Sequence, residues 1–184
     1  MSVASLVLLV SPFIIFDLRY KMPDNFAGKM LYPTSAQAYM RPEAAQALVN
    51  AAQELYTTYG YKLVVWDAYR PHSVQKKMWE ICPDERCVAN PAKGSNHNRG
   101  LAIDCTLADK DGKLCKMPTA FDDFTAAAHR GDYKQCSDAV KKRMQIFERV
   151  MYKHGFTGLS TEWWHYDFPS ADRTIYDISF DELP

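Results

Sequence analysis

The chain has 184 residues, with 22 Lys and Arg against 22 Asp and Glu, so its formal net charge is zero. That balance, without a basic stretch or a charged tail, excludes nucleic-acid binding by electrostatic footprint. Apolar residues at 47% and charged residues at 24% are ordinary globular proportions, and the length suits one domain over residues 1–184 with a sizeable core.

Taken in chain order, the first signal is an apolar run, Leu6 to Val10 and Phe13 to Phe16, broken by Pro12. It is too short to span a bilayer, and no basic residues precede it as a secretory signal requires. It passes directly into Asp17-Leu18-Arg19-Tyr20 and reads as the first one or two strands. A leader removed upstream is the alternative. Residues 22–36 are irregular. A helix is predicted from Pro42 to Tyr59, with Pro42 in its first turn and Gly60 as its stop; Leu48, Ala51, Ala52, Leu55, Tyr56 and Tyr59 recur at helical spacing. Lys62 to Tyr69, rich in β-branched and aromatic residues, reads as a strand, and it ends at Arg70-Pro71. A second helix starts near Pro71 and stops before Cys82.

After an irregular stretch at 82–99, Leu101 to Leu107 alternates as a strand: Leu101, Ile103, Cys105 and Leu107 share one face, Ala102, Asp104 and Thr106 the other. Residues 108–136 suit loops. The third helix follows Ser137, a good N-cap, and ends at Gly155, with Val140, Met144, Phe147 and Met151 as its buried stripe. Trp163 to Phe168 reads as a further strand, with His165 and Asp167 on one face. This order suits an α+β domain with a mostly antiparallel central sheet flanked by helices.

Two segments carry candidate chemistry, Ser95-Asn96-His97-Asn98-Arg99-Gly100-Leu101-Ala102-Ile103-Asp104 and Glu162-Trp163-Trp164-His165. A catalytic zinc site needs three protein ligands, an open position for water and a nearby base. His97, Asp104 and His165 supply two imidazoles and a carboxylate, and Glu162 is left over as the base. The bland readings are a solvated His97 in a polar loop and a surface acid at Glu162. Asp104 is harder to dismiss, because a carboxylate in an apolar strand needs a partner or a metal. Arg70 stands at a strand end; it is either half of a surface pair with Asp67, of little energetic weight, or a guanidinium aimed at developing charge on a carbonyl oxygen. His72, His129 and His154 have no such company and read as surface residues.

Five cysteines leave two readings open. Cys82–Cys87 and Cys115–Cys136 bracket loops and suit disulfides in an oxidising compartment, with Cys105 free in a strand; five unpaired cytosolic thiols are the other reading. With no Cys-x-x-Cys pair, a zinc cluster is not expected.

Together these segments resemble the D-alanyl-D-alanine dipeptidases, zinc enzymes related to the vancomycin-resistance dipeptidase. The likeness spans nearly the whole chain. It runs from Asp17-Leu18-Arg19-Tyr20 and Asp24-Asn25-Phe26-Ala27-Gly28-Lys29 through Trp66-Asp67-Ala68-Tyr69-Arg70-Pro71 and Ser95-x-His97-x-x-Gly100-x-Ala102-x-Asp104 to Glu162-Trp163-Trp164-His165-Tyr166. It implies a fold shared with zinc DD-peptidases and the Hedgehog signalling domain. It implies one Zn2+ per chain on His97, Asp104 and His165, with Glu162 as catalytic base and Arg70 stabilising the tetrahedral intermediate. Ser95 and Asp122 match positions that hold the ends of the dipeptide D-Ala-D-Ala, Asp122 pairing with its ammonium group, and Tyr20 lines the same pocket. The stretch between Trp79 and Ser95 is shorter than in the resistance enzyme.

The resemblance implies hydrolysis of D-Ala-D-Ala, with a zinc D,D-carboxypeptidase acting on peptidoglycan stem peptides as the alternative and a catalytically silent zinc-binding interaction domain as a reading of another class. A cell-envelope location is expected, with the cytoplasm as alternative. Neither nucleic acid nor a membrane span is expected.

Overall fold

The computed structural model describes residues 6–131 and 133–184. A five-stranded sheet holds β2 (Ile14–Phe16), β4 (Lys62–Asp67), β5 (Ala102–Ala108), β7 (His165–Asp167) and β6 (Thr157–Gly158), in that spatial order. The β2–β4 pair is parallel and the others are antiparallel. A separate two-stranded sheet pairs β1 (Val7–Leu8) with β3 (Tyr39–Met40). The N-terminal apolar run thus supplies two strands, one to each sheet. The fold is α+β with a mostly antiparallel sheet. Among the described residues no helix is long and apolar enough to cross a membrane.

Three α-helices lie where the periodicity predicts them. Helix α1 (Pro42–Tyr59) has Pro42 at its first position and stops at Gly60, whose φ of 75° is the left-handed conformation a helix end favours. Helix α2 (His72–Ile81) follows Pro71 directly. Helix α3 (Asp138–Lys153) is capped by the Ser137 hydroxyl, which accepts from the Val140 N–H at 3.4 Å. Helices α1 and α3 pack on each other, and α1 packs on β4. Leu48 and Leu55 of α1 and Met144 and Phe147 of α3 are fully buried. Each such side chain contributes roughly 1.5–3 kcal/mol of burial free energy.

Cross-strand neighbours share a face of a sheet, which tells the two faces apart. The Phe147 ring lies 5.2 Å from that of Tyr166, and Tyr166 is paired with Ile103. The Ile103–Tyr166 face therefore looks at α3. Asp104 and His165, paired one residue away, lie on the opposite face, where the loops gather.

Strand lengths and burial differ in places from expectation. The strand expected over 62–69 ends at Asp67, because β4 bulges between Val65 and Asp67 and then leaves the ladder toward Pro71. The strand expected over 163–168 shortens to His165–Asp167. Strand β5 is buried along its whole length, so its alternation separates two covered faces, not an apolar face and a wet one.

The disulfide expectation is corrected: Cys82, Cys87, Cys105, Cys115 and Cys136 are all free thiols. Cys87 is pushed up to about 11, first by burial and then by a hydrogen bond with Cys82. Cys105 is buried, as expected.

Candidate metal centre and pocket

The bulge in β4 organises the site. Upstream of it Val64 pairs with Thr106 and Val65 with Cys105. Strict alternation would then turn Asp67 toward the helices. The extra residue shifts the register by one, and a one-residue slip moves a side chain to the other face. Asp67 therefore pairs with Asp104, which pairs with His165 on its other side. Three polar residues from three neighbouring strands stand in one row.

His97 reaches this row from a 3-10 turn, His97–Arg99, which Gly100 ends at a φ of 65°. A Cβ on Gly100 would lie 2.5 Å from Leu6 Cδ2 and 3.2 Å from the Arg41 backbone nitrogen, so glycine is required for space as well as conformation. The turn is tied to the end of β4. The Arg70 N–H donates to the His97 carbonyl at 3.1 Å, and the Asn98 amide donates to the Arg70 carbonyl at 2.9 Å while its oxygen accepts from the Ser95 N–H at 2.8 Å.

Both imidazoles have their outer nitrogens occupied. His97 Nδ1 lies 2.7 Å from the Ala68 carbonyl and His165 Nε2 lies 2.9 Å from Asp167 Oδ1. Each must donate a proton there, which directs the lone pairs of His97 Nε2 and His165 Nδ1 inward. Those two nitrogens are 3.3 Å apart, and Asp104 Oδ1 is 3.0 Å from His165 Nδ1 and 3.4 Å from His97 Nε2. All three donors are buried and lie within 4.8 Å of one another. Two lone pairs and a carboxylate this close could hold a metal ion between them. Two nitrogens and one oxygen are a donor set that suits zinc. Burial works to raise the Asp104 carboxyl, but His97 and His165 hold it well below the usual range. Burial works against charge on His165, yet Asp104 and Asp167 push it well above the ordinary imidazole value.

Glu162 stands just outside this cluster, its Oε2 4.0 Å from His165 Nδ1. Burial pushes its carboxyl up to about 7 against the pull of His165. Arg70 is clamped: Nε and Nη2 donate to Asp67 Oδ2 at 3.0 and 2.6 Å, and Nη1 donates to Gln75 Oε1 at 2.8 Å. Its guanidinium lies 5.2 Å from the centre of the Tyr20 ring. The surface-pair reading of Arg70 and Asp67 is overturned, since Asp67 is 0% and Arg70 7% exposed.

Asp122 has a φ of 58°, the left-handed region that Asp tolerates better than most residues. It is held there by the Phe26 N–H, which donates to Oδ2 at 3.0 Å, and the Tyr20 hydroxyl, which donates to Oδ1 at 3.2 Å. Burial pushes its carboxyl up to about 7. The Ser95 hydroxyl accepts from the His97 N–H at 3.2 Å.

Tyr20, Arg70, Ser95, His97, Asp104, Asp122, Glu162 and His165 all line one cavity of about 320 Å³. The sequence-predicted set is brought together without exception. Residues 85–90 and 93–95 form part of the wall, with Phe26, Met78, Phe124, Leu159, Thr161 and Trp164. Of the other histidines, His129 is exposed as expected. His72 and His154 are half-buried, because each has a partner: His72 Nε2 donates to the Pro91 carbonyl and His154 Nε2 faces Glu54, both at 2.8 Å.

Asp67, Gln75, Asn98 and Asp167 escaped the sequence reading as site residues. Asp167 had a signal, since alternation puts it beside His165. The others did not: Asp67 depends on the bulge, and Gln75 and Asn98 act through contacts between loops.

The family described as "D-ala-D-ala dipeptidase" matches residues 7–183. A D-alanyl-D-alanine dipeptidase of Escherichia coli (strain K12) is 34% identical over 163 residues, 89% of this chain and 83% of that protein. One from Enterococcus faecium is 31% identical over 172 residues, 82% of this chain and 84% of that protein. Among solved structures, the vancomycin-resistance D,D-pentapeptidase VanY in complex with Zn(II) is 18% identical with a TM-score of 0.45, covering 74% of this chain and 76% of that one.

Proposed function

Because this chain belongs to the D-alanyl-D-alanine dipeptidase family of metallopeptidases, we propose that it hydrolyses the free dipeptide D-Ala-D-Ala to two D-alanines. In this reading His97, Asp104 and His165 hold one zinc ion, Glu162 is the general base, and Arg70 receives the charge that develops on the scissile carbonyl. The observation that carries it is the division among four neighbouring groups: three donors converge at 3.0, 3.3 and 3.4 Å, while Glu162, 4.0 Å from His165 Nδ1, is not one of the converging set.

Zinc in such a site lowers the pKa of water to about 7 and polarises carbonyls. Glu162 takes the proton of the attacking water and later delivers it to the leaving amine. Arg70 keeps its orientation through Asp67 and Gln75, which occupy three of its N–H groups; Arg70 lines the cavity, and its two remaining N–H groups are left to stabilise an oxyanion. Ser95 and Asp122 hold the two ends of the dipeptide, and Tyr20 supports Asp122.

A D,D-carboxypeptidase acting on stem peptides is not favoured. A buried carboxylate on the cavity wall, Asp122, rewards a free ammonium and penalises an acylated amino end. A silent binding domain would need neither Glu162 nor a clamped Arg70. The test is release of D-alanine from D-Ala-D-Ala by purified protein. The expected result is turnover that a chelator abolishes and Zn2+ restores; no release by protein carrying one equivalent of zinc would overturn the reading.

A further inference from the structure

We infer that Arg130 is a positioning residue for the catalytic segment, holding Glu162 at its working distance from His165 from behind the sheet. The inference rests on the roles proposed above for Glu162 and His165. One guanidinium gathers the backbone of the whole β6–β7 connection. Arg130 Nη2 donates to the carbonyls of Glu162, Trp163 and His165 at 3.2, 2.8 and 2.9 Å. Nε donates to the Leu159 carbonyl at 3.1 Å, and Nη1 to the Tyr166 hydroxyl at 3.0 Å and Glu148 Oε1 at 3.1 Å. Its backbone N–H donates to the Ser160 carbonyl at 2.9 Å.

The guanidinium lies over the Tyr166 ring, 4.3 Å from its centre. Tyr166 is on the sheet face that looks at α3, so Arg130 approaches the carbonyls from the side away from the cavity and touches no substrate. Gly158 makes the space. It pairs with Tyr166 across β6 and β7, and a Cβ there would lie 2.2 Å from Arg130 Nε and 2.4 Å from its Cζ. The absence of a side chain at 158 and the burial of a cation behind 159–165 are two halves of one arrangement.

The separation of base from ligand is a matter of backbone. Glu162 and His165 are three residues apart, and no hydrogen bond fixes the Glu162 carboxylate to its neighbours among the described residues. With carbonyls 162, 163 and 165 converging on one nitrogen, the connection has one stable shape. A group displaced by about 1 Å from its productive place costs about 100-fold in rate.

The test compares wild type with Arg130→Lys and Gly158→Ala, each assayed well below its own melting temperature and loaded with zinc. Lysine keeps the charge but cannot span the carbonyls; the methyl that Gly158→Ala introduces displaces the guanidinium without removing a donor. Both variants should bind one equivalent of zinc and lose kcat by about 100-fold, with KM for D-Ala-D-Ala changed less than about threefold. Amides 159–165 should exchange hydrogen faster while α1 does not. A structural role alone lowers the melting temperature and leaves kcat of the folded protein intact; that outcome in either variant overturns the inference. Should Arg130→Lys fail to fold, Gly158→Ala decides. Should wild type release no D-alanine, the proposed function fails, and Arg130 is judged on the exchange of 159–165 alone.

Discussion

Asp67 and Asp104 stand directly opposite each other on β4 and β5, two buried carboxylates in adjacent strands. Like charges so placed repel unless each has a cation. Asp67 has Arg70 at 2.6 Å, with the Tyr32 hydroxyl donating to its other oxygen, also at 2.6 Å, and Asp104 has the cation site it forms with the two histidines. The pairing predicts that Asp67→Asn leaves Arg70 with an uncompensated buried charge. Stability should fall by about 3–5 kcal/mol, read by denaturant unfolding, and kcat should fall as the guanidinium loses its orientation. A variant as stable and as active as wild type would show that Asp67 does not hold Arg70.

The donor cluster makes a sharper prediction about metal. His97→Ala, Asp104→Ala and His165→Ala should each lose zinc or hold it far more weakly, measured by metal analysis after dialysis against a mild chelator. Stoichiometric, tightly held zinc in all three would refute the assignment.

Glu162→Gln separates base from ligand. The amide cannot take a proton, so turnover should fall by roughly 10²–10⁴ while zinc stays bound. Simultaneous loss of metal would make Glu162 a ligand instead.

Asp122 predicts both substrate preference and pH dependence. N-acetylation of D-Ala-D-Ala removes the ammonium and should cost about 2–5 kcal/mol in kcat/KM. Burial holds the Asp122 carboxyl at about 7, so the pair forms only as that proton leaves. The ratio of kcat/KM for free over acetylated dipeptide should therefore rise with pH toward about 7, then fall once the substrate amine, of pKa about 8, loses its charge. Glu162 acts on both substrates, so its titration cancels in the ratio. Asp122→Asn should flatten the profile; an unchanged profile in that variant would remove Asp122 from recognition of the amino end.

The same acid affects stability in the opposite sense. A carboxyl raised from 3.8 to about 7 on folding keeps a proton that the unfolded chain releases, so its contribution falls as pH rises between those values and is lowest above about 7. Melting temperatures across that window should fall less in Asp122→Asn than in wild type.

What the chain disclosed before folding depended on how local the signal was. The three helices follow from apolar spacing and from Pro42, Gly60 and Ser137, all within a few residues of the turns they govern. His97, Asp104, Glu162 and His165 were legible because chemically pointed residues sit close together in pairs. Tyr20, Ser95 and Asp122 were reachable only through family resemblance, since a lone tyrosine, serine or aspartate in a loop carries no pattern. Asp67 was not legible as a site residue, because alternation along a strand assumes unbroken pleating and the bulge before it breaks the count. Arg130 was invisible for a different reason: its partners begin 18 residues away at Glu148 and extend to Tyr166, 36 residues away, in a stretch whose composition says only loop.

The row formed by Asp67, Asp104 and His165 gives the centre a ruler. Neighbouring strands are about 4.8 Å apart by the geometry of their hydrogen bonds, so the spacing of these groups is inherited from the sheet and cannot drift gradually. Slippage of any of the three strands by one residue would turn its member away altogether. The loop wall at residues 85–90 has no such ruler; Glu85, Arg86 and Ala89 in it are exposed, and such a loop is tolerant of insertion and exchange. Change in what the cavity admits is therefore open to small, graded steps in that wall, while change in the chemistry demands an abrupt one in the sheet.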